Sequence, residues 1–587
     1  WATIAQMEAK RIENDTQQGF TNSHQPVDPS SSSSLMREYH LRSSAIQAER
    51  QSQTPKRILF ITNIFPPQEL GGIGRKLWEW ASELLRRGHT LRILTADLPE
   101  LSYPPDPTLH HIEHFVERHL RAQADWSTLP PKPFTDASVV IRNSVHNQRT
   151  LEECMHRLRP HYCLIGNLDT ISGNLVETLA RRNIPTIQAI GNATPSYSRY
   201  NVPLYPSFRL GPCSHWLGEH LTDQGYNAFP CYPLYSGGLL EKYYHFFPPT
   251  FDKLRIAFAS LLIGLKAPDV LVNALIRLKK QGIPFECEIA GDHTKDPGLY
   301  EHLRSVIQSY KLENEVHFLG LQNSQQLQAL FRRSNVLVFP SKFHESFGRA
   351  AIEAMAAGLV VVSSGTGGQK EIITHEKNGL LFQNKSADDL ATKLTWLQED
   401  RKRWKHLALE AQNRAFEFTT CTTIDRLEEA FAEIAANHSS SQHAAPYNSV
   451  LEPIKKMEDV CREVRKRMSD GQLIEAKQKF ESIEVKETAP AFYYKTKCLL
   501  NMKTNNWDNA FNAAVNAIIQ TPDDPEACVY MARLLPSINA HELANTLYEE
   551  AIHRAPNHAQ LRVEKASLLE KMNRPGQALS QRHLAQA

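Results

Sequence analysis

The chain has 587 residues, 41% of them apolar, and a formal net charge of +2 from 66 Lys and Arg against 64 Asp and Glu. That length predicts three or four domains with ample cores, and so even a charge balance gives no sign of nucleic-acid binding; pairs such as Arg332-Arg333 read as solvated faces. Nine cysteines without a Cys-x-x-Cys fit reduced thiols in a cytosolic protein. No apolar run approaches the ~20 residues needed to span a bilayer and no signal peptide is visible, which predicts a soluble or at most peripheral protein.

The chain begins at Trp1 rather than Met. Ala2 to Asn14 read as the end of a helix, followed by Ser30 to Ser34 and a basic segment leading to Thr54. This predicts a loosely attached linker over residues 1–54 and a fragment of a longer polypeptide with domains upstream. Arg57 to Thr62 is a strand, followed by Phe65-Pro-Pro67, Gly71-Gly-Ile-Gly74, a helix ending near Gly88-His89 and a second strand, Leu91 to Thr95: the first βαβ unit of a Rossmann-like domain. A glycine loop in this place is either a tight turn or a phosphate-approach loop. The helix puts Leu77, Trp80, Ala81, Leu84 and Leu85 on one face and leaves Trp78 beside Lys76 and Arg86-Arg87. Such a Trp either packs under a neighbouring loop or marks interfacial membrane contact. Leu164-Ile-Gly-Asn167 and Ile187 to Asn192 are strand ends where asparagine serves turn chemistry or a sugar contact. Gly211 to Leu217 is a strand-to-helix junction, and Tyr235-Ser-Gly-Gly238 a crossing into a second domain.

That domain opens with the strand Leu254 to Ala259, then Ser260-Leu261, Lys266 and a helix from about Pro268; Ile289-Ala-Gly-Asp292 and Val316 to Gly320 look like later strands. Asn335 to Phe339 is an apolar strand ending at Pro340. An Ala-rich helix then runs to Gly358, a residue suited to the left-handed conformation at a helix end. Glu345 falls in the loop at the strand's carboxyl end and Glu353, eight positions on, about one turn into the helix. Open α/β sheets bind ligands there, because helix amino termini present unpaired N–H groups to anions. Gly348 lets the backbone approach such an anion. Alone, the pair reads as a loop Glu and a helix-surface Glu; its flanks make it specific. Leu359 to Val362, Gly365-Thr-Gly-Gly368, Glu371 and an Asn378-Gly379 turn into Leu380-Leu-Phe382 follow.

The stretch from Phe339 to Gly358 resembles, residue for residue in its spacing, the Glu-x7-Glu motif of retaining GT-B glycosyltransferases of the family-four type. That group includes glycogen-synthase-like enzymes and mannosyltransferases. Further matches run through most of residues 55–436. The resemblance implies two Rossmann-like domains facing a cleft. It places Glu345 beside the donor sugar, Ser346, Phe347 and Gly348 on the diphosphate, and Glu353 on the ribose hydroxyls. Gly71 and Gly72 would approach the diphosphate from the opposite domain, and Lys266 would neutralise it as it leaves. The chemistry suits these types, since an oxocarbenium-like transition state is supported by a carboxylate and the leaving group by donors. Two departures stand out. Relatives carry an arginine where this chain has Ser260, and a histidine at an inner strand end where this chain has Asn167 and Asn192. Another basic residue fills the gap, Ser260 donates a weaker bond, or activity is low or absent. No Asp-x-Asp triplet occurs, so no metal or other cofactor is expected, the nucleotide-diphosphate sugar being a co-substrate.

After a polar stretch, Asn437 to Pro453, alanines recur at 476, 510, 544 and 578, each 34 positions after the last, and 34 is the tetratricopeptide repeat period. Ala532 and Ala566, Ala517 and Ala551, Phe480 and Tyr548, and the closing prolines Pro522 and Pro556 agree. Small residues are needed where paired helices cross, and proline ends the second helix of a unit. This predicts about four repeats forming a solenoid for docking a peptide or acceptor, for self-association, or as a structural cap.

The expected architecture is thus α/β with an all-α appendage. Residues 55–240 form an acceptor-side Rossmann-like domain, 241–436 a nucleotide-sugar-binding domain with a return helix, 437–453 a linker and 454–587 the repeats. The expected function is transfer of a hexose-like sugar, with retention, to a glycan, lipid-linked glycan or protein, in bacterial surface polysaccharide or glycoconjugate synthesis. The alternative is a catalytically weak, transferase-like scaffold acting through its repeats. A nucleotide-sugar epimerase fits less well, because the acids it needs are not identifiable.

Overall fold

A computed structural model of the chain describes residues 55–68, 72–102, 107–128, 131–171, 174–195, 197–244, 249–439, 447–485 and 488–586. The amino-terminal helix end, the Ser-rich linker and Gly71 lie outside the described residues.

Two parallel sheets of identical topology form the first two thirds. In the first, β1 (Arg57–Ile61), β2 (Thr90–Ala96), β3 (Val116–Leu120), β4 (Tyr162–Ile165), β5 (Thr186–Ile190) and β6 (Phe208–Pro212) lie in the order β3-β2-β1-β4-β5-β6. In the second, β7 (Leu254–Ala259), β8 (Phe285–Ala290), β9 (Val316–Gly320), β10 (Val336–Phe339), β11 (Val360–Ser363) and β12 (Leu380–Leu381) lie in the order β9-β8-β7-β10-β11-β12. The inner strands are apolar on both faces, as in the fully buried Val-Leu-Val-Phe of β10, because helices cover both sides. The order reverses between β1 and β4 and again between β7 and β10. That reversal opens a crevice at the carboxyl ends of those strands, where open α/β sheets take ligands.

Around the first sheet lie α1 (Gly72–Arg86), α2 (Ala137–Leu158), α3 (Asn174–Arg181) and α4 (His215–Asp223). Around the second lie α5 (Pro268–Lys280), α6 (Pro297–Ser309), α7 (Ser324–Arg333), α8 (Arg349–Ala356), α9 (Ala387–Glu399) and α10 (Arg401–Ala415). Local sequence sets their ends. Pro268 starts α5, an Asn323–Gln326 capping box starts α7, and Gly358, at φ +83°, follows α8. Trp78 is buried and meets His111 edge-on at 5.4 Å, so it packs under the neighbouring segment.

After the second domain, α11 (Thr420–Ser439) returns to the first. Ile424, Leu427, Phe431 and Ile434 bury against Phe60, Leu77 and Trp80 in one core, and Phe431 stacks on Tyr162 at 4.6 Å. Beyond it come α12 (Asn448–Ser469), α13 (Leu473–Glu481), α14 (Ala491–Lys503), α15 (Trp507–Gln520), α16 (Pro525–Leu534), α17 (His541–Arg554), α18 (Ala559–Lys571) and α19 (Pro575–Gln586), each packed on the next. Helices thus enter the 437–453 stretch from both sides, with Pro453 inside α12. Ala476, Ala510, Ala544 and Ala578 are all buried. This helical array sits on the first domain: Ile141 and Val145 of α2 share a core with Ala513 and Ala517 of α15. Arg554 binds Glu152 at 2.8 Å and Arg149 binds Glu550 at 2.9 Å.

Candidate functional site

The loops after β7 and β10 meet at the second sheet's strand reversal and bring Lys266 and Glu345 together. Lys266 Nζ donates to Glu345 Oε1 at 2.6 Å and lies 4.8 Å over the Phe343 ring, and Ser341 Oγ donates to the same carboxylate oxygen. Glu345 is 7% exposed. Its backbone is fixed by the glycine loop after β11: Gly368 N donates to Glu345 O at 2.8 Å, and Gly367, at φ +62°, approaches so closely that a Cβ would meet that oxygen at 2.3 Å. Gly348 has φ +125° and faces Phe339, whose ring a Cβ would meet at 2.9 Å. The glycine is therefore required by its backbone angle and by the ring behind it. No side chain caps α8, which leaves first-turn amides for an anion.

Ser346 and Phe347 complete this turn. The Cys213 thiol contacts Ser346 O at 3.5 Å, and Phe347 stacks on Tyr235 at 5.6 Å, so the turn rests on the first domain. Ser260 directly follows β7, with its amide bonded to Ala290 O at 3.1 Å, and Leu261 and Leu265 beside it are exposed. Gly72 is the first residue of α1.

Glu353 lies on the inner face of α8 with its side chain 12% exposed. Arg349 Nη2 sits 3.5 Å from it and donates to Glu79 of α1 at 3.0 and 3.2 Å. Burial pushes the Glu353 carboxyl up to about 7, with Arg349 opposing and Glu79 adding to the rise. Glu371 makes a second tie across the cleft: its carboxylate accepts from the His215 and Trp216 amides, at 2.9 and 2.7 Å, at the start of α4. A carboxylate there satisfies orphan N–H groups and the helix dipole. His344 stacks on Trp216 at 5.4 Å.

The structure thus gathers Lys266, Glu345, Ser346, Phe347, Gly348 and Glu353 along one edge of the cleft, with Gly72 on the opposing domain. Sequence reasoning passed over Lys76, Glu79, Arg349 and the tie made by Glu371. Lys76 and Glu79 were hidden in an amphipathic helix, and Arg349 resembles any first-turn surface cation. Asn167 makes a turn, bonding Asp169 through its side chain at 2.8 Å, whereas Asn192 is exposed. Among the described residues, no three His, Cys, Asp or Glu side chains are grouped to hold a metal, and no helix is long and apolar enough to cross a membrane.

The family model "Glycosyl transferases group 1" matches residues 247–414, the second domain. A D-inositol 3-phosphate glycosyltransferase of Rhodococcus erythropolis is 31% identical over 192 residues, 32% of this chain and 43% of that one, so the chain spans less than half of that relative. An uncharacterized glycosyltransferase of Methanocaldococcus jannaschii is 33% identical over 346 residues, 57% of this chain and 87% of the relative. Among solved structures, a glycosyltransferase of Rickettsia africae superposes with a TM-score of 0.53 at 18% identity, covering 66% of this chain and all of that one. HepE of Anabaena, in complex with UDP, does so with a TM-score of 0.50 at 18% identity, covering 64% and 100%. With a GT-B arrangement of two parallel sheets, the family match in the second domain and a 33% identical relative spanned over most of its length, the chain belongs to the group 1 glycosyltransferases.

Proposed function

We propose that the chain moves a hexose-like sugar from a nucleotide-diphosphate donor to a hydroxyl acceptor with retention of configuration, between domains at residues 55–240 and 241–436. The observation that carries this reading is the Lys266–Glu345 pair beside the uncapped start of α8, at the strand reversal of the second sheet. The α8 amides and Lys266 receive the diphosphate, and Glu353 receives the ribose hydroxyls. Glu345 faces the sugar, where its charge supports the oxocarbenium-like transition state while the acceptor hydroxyl attacks from the side the diphosphate leaves. The route is proposed as metal-independent, with Lys266 and the α8 amides taking the charge of the leaving diphosphate. The acceptor is a glycan, a lipid-linked glycan or a protein, and the carboxyl-terminal helices are a tetratricopeptide solenoid serving docking or self-association, in a cytoplasmic or peripheral protein of surface-glycan synthesis.

The second reading, a transferase-like scaffold, is favoured by Ser260 in place of a cation and by Lys266 already paired with Glu345. Donor binding and hydrolysis across UDP-, GDP- and ADP-sugars decide between the two. The transferase reading expects one donor to turn over, turnover to vanish in Glu345→Ala and affinity to fall in Glu353→Ala. Folded protein that binds no donor sinks it in favour of the scaffold.

A further inference from the structure

Lys76 is the fifth residue of α1 and only 2% exposed, yet among the described residues no carboxylate or carbonyl pairs with its ammonium. Its Nζ lies 4.8 Å over the Trp80 ring. The charged and titratable groups around it are Cys213, Arg349 and Glu79. Glu79 is engaged by Arg349 at 3.0 and 3.2 Å, and burial pushes the Cys213 thiol up to about 11, so it stays neutral. Cys213 in turn touches Ser346 O at 3.5 Å. The ammonium therefore lies among groups of both domains, Cys213 and Glu79 of the first and Arg349 at the start of α8.

A buried ammonium without an anion is destabilising, and burial lowers Lys76 to about 8. Such a charge is retained where a ligand compensates it. Three other cations of this edge are committed: Lys266 to Glu345 at 2.6 Å, Lys342 to Asp269 at 2.7 Å and Arg349 to Glu79. Ser260 brings no charge. A diphosphate entering between α1 and α8 would meet one uncommitted positive charge among these groups, and it comes from the first domain.

We propose that Lys76 is the second phosphate-binding cation of this site, taking the diphosphate of the nucleotide donor from the first domain where Ser260 supplies none from the second. This rests on the transferase reading above. It assigns Lys76 the phosphates and leaves the nucleoside to the second domain.

The test is calorimetry of the full chain with UDP, GDP and ADP and with the matching monophosphates, on the natural protein and on Lys76→Met, Lys76→Gln and Lys76→Arg. Lys76→Met and Lys76→Gln should each weaken the preferred diphosphate about tenfold or more and leave the monophosphate unchanged, since a charge-assisted bond to the distal phosphate is lost. Lys76→Arg should retain most of the affinity. Lys76→Met should also unfold at a higher temperature, because the uncompensated buried charge is gone. Diphosphate affinity unchanged in both neutral variants, or monophosphate affinity lost in parallel, overturns the assignment while the transferase reading stands. A natural protein that binds no nucleoside diphosphate overturns the transferase reading itself.

Discussion

Glu345 and Lys266 neutralise each other at 2.6 Å, so an arriving diphosphate competes with a carboxylate for the same ammonium. Glu345→Gln removes the competitor and leaves the shape. Nucleoside diphosphate should bind as well as before or more tightly, while turnover of the intact donor falls about 10²-fold or more, because the charge facing the sugar is gone. Equal loss of binding and turnover would show instead that Glu345 serves only to hold the loop. Glu353 has a different signature. Burial raises its folded value to about 7 against an ordinary 4.5, so the folded protein holds this proton more tightly than the unfolded chain does. Its contribution to stability is therefore present at low pH and lost as pH climbs from about 4.5 to about 7, by no more than about 3 kcal/mol. Glu241, also pushed to about 7 by burial, acts in the same window. Denaturant unfolding at pH 5 and pH 8 should show Glu353→Gln with a flatter profile than the natural protein and a gain at pH 8.

At the scale of elements, the turn from β10 into α8 holds the site in register. Gly348→Ala places a Cβ at φ +125° against the Phe339 ring, which should cost about 1–3 kcal/mol and swing the first-turn amides off the anion. Thermal unfolding and nucleotide affinity should fall together; a stable variant with intact affinity would mean the turn has another way to settle. Much of this element was legible in the sequence, because strand, proline, loop and Ala-rich helix follow local rules in the one stretch from Val336 to Ala356. Edge strands were harder: β3, Val-Glu-Arg-His-Leu, is only half-buried and carries no apolar alternation to announce it. What the carboxylates touch was not legible at all. Glu79 and Arg349 are 270 positions apart, and nothing in either neighbourhood names the other. Glu371 was visible as part of a recurring pattern, but its role as the cap of α4 depends on how the domains meet.

Across the whole molecule, the carboxyl-terminal helices are an attached unit rather than a tethered one. Arg554 binds Glu152 of α2 while also holding Glu550, and Ile141 and Val145 seal the contact. Arg554→Glu sets like charges against one another there and should weaken the attachment by about 1–2 kcal/mol. Small-angle scattering should then report a larger radius of gyration with donor binding unaltered. An unchanged radius would place the hold in the apolar contact, and Ile141→Asp becomes the decisive variant.

The return of α11 to the first domain has a consequence for how the protein comes into being. Phe60, Leu77 and Trp80 share their core with Ile424, Leu427 and Phe431, residues that leave the ribosome more than three hundred positions later. During synthesis the leading domain must wait, with an apolar groove open to water, until the trailing one has been made. Releasing a nascent chain just before Thr420 should therefore yield a sticky, chaperone-bound product, even though both sheets would already be complete.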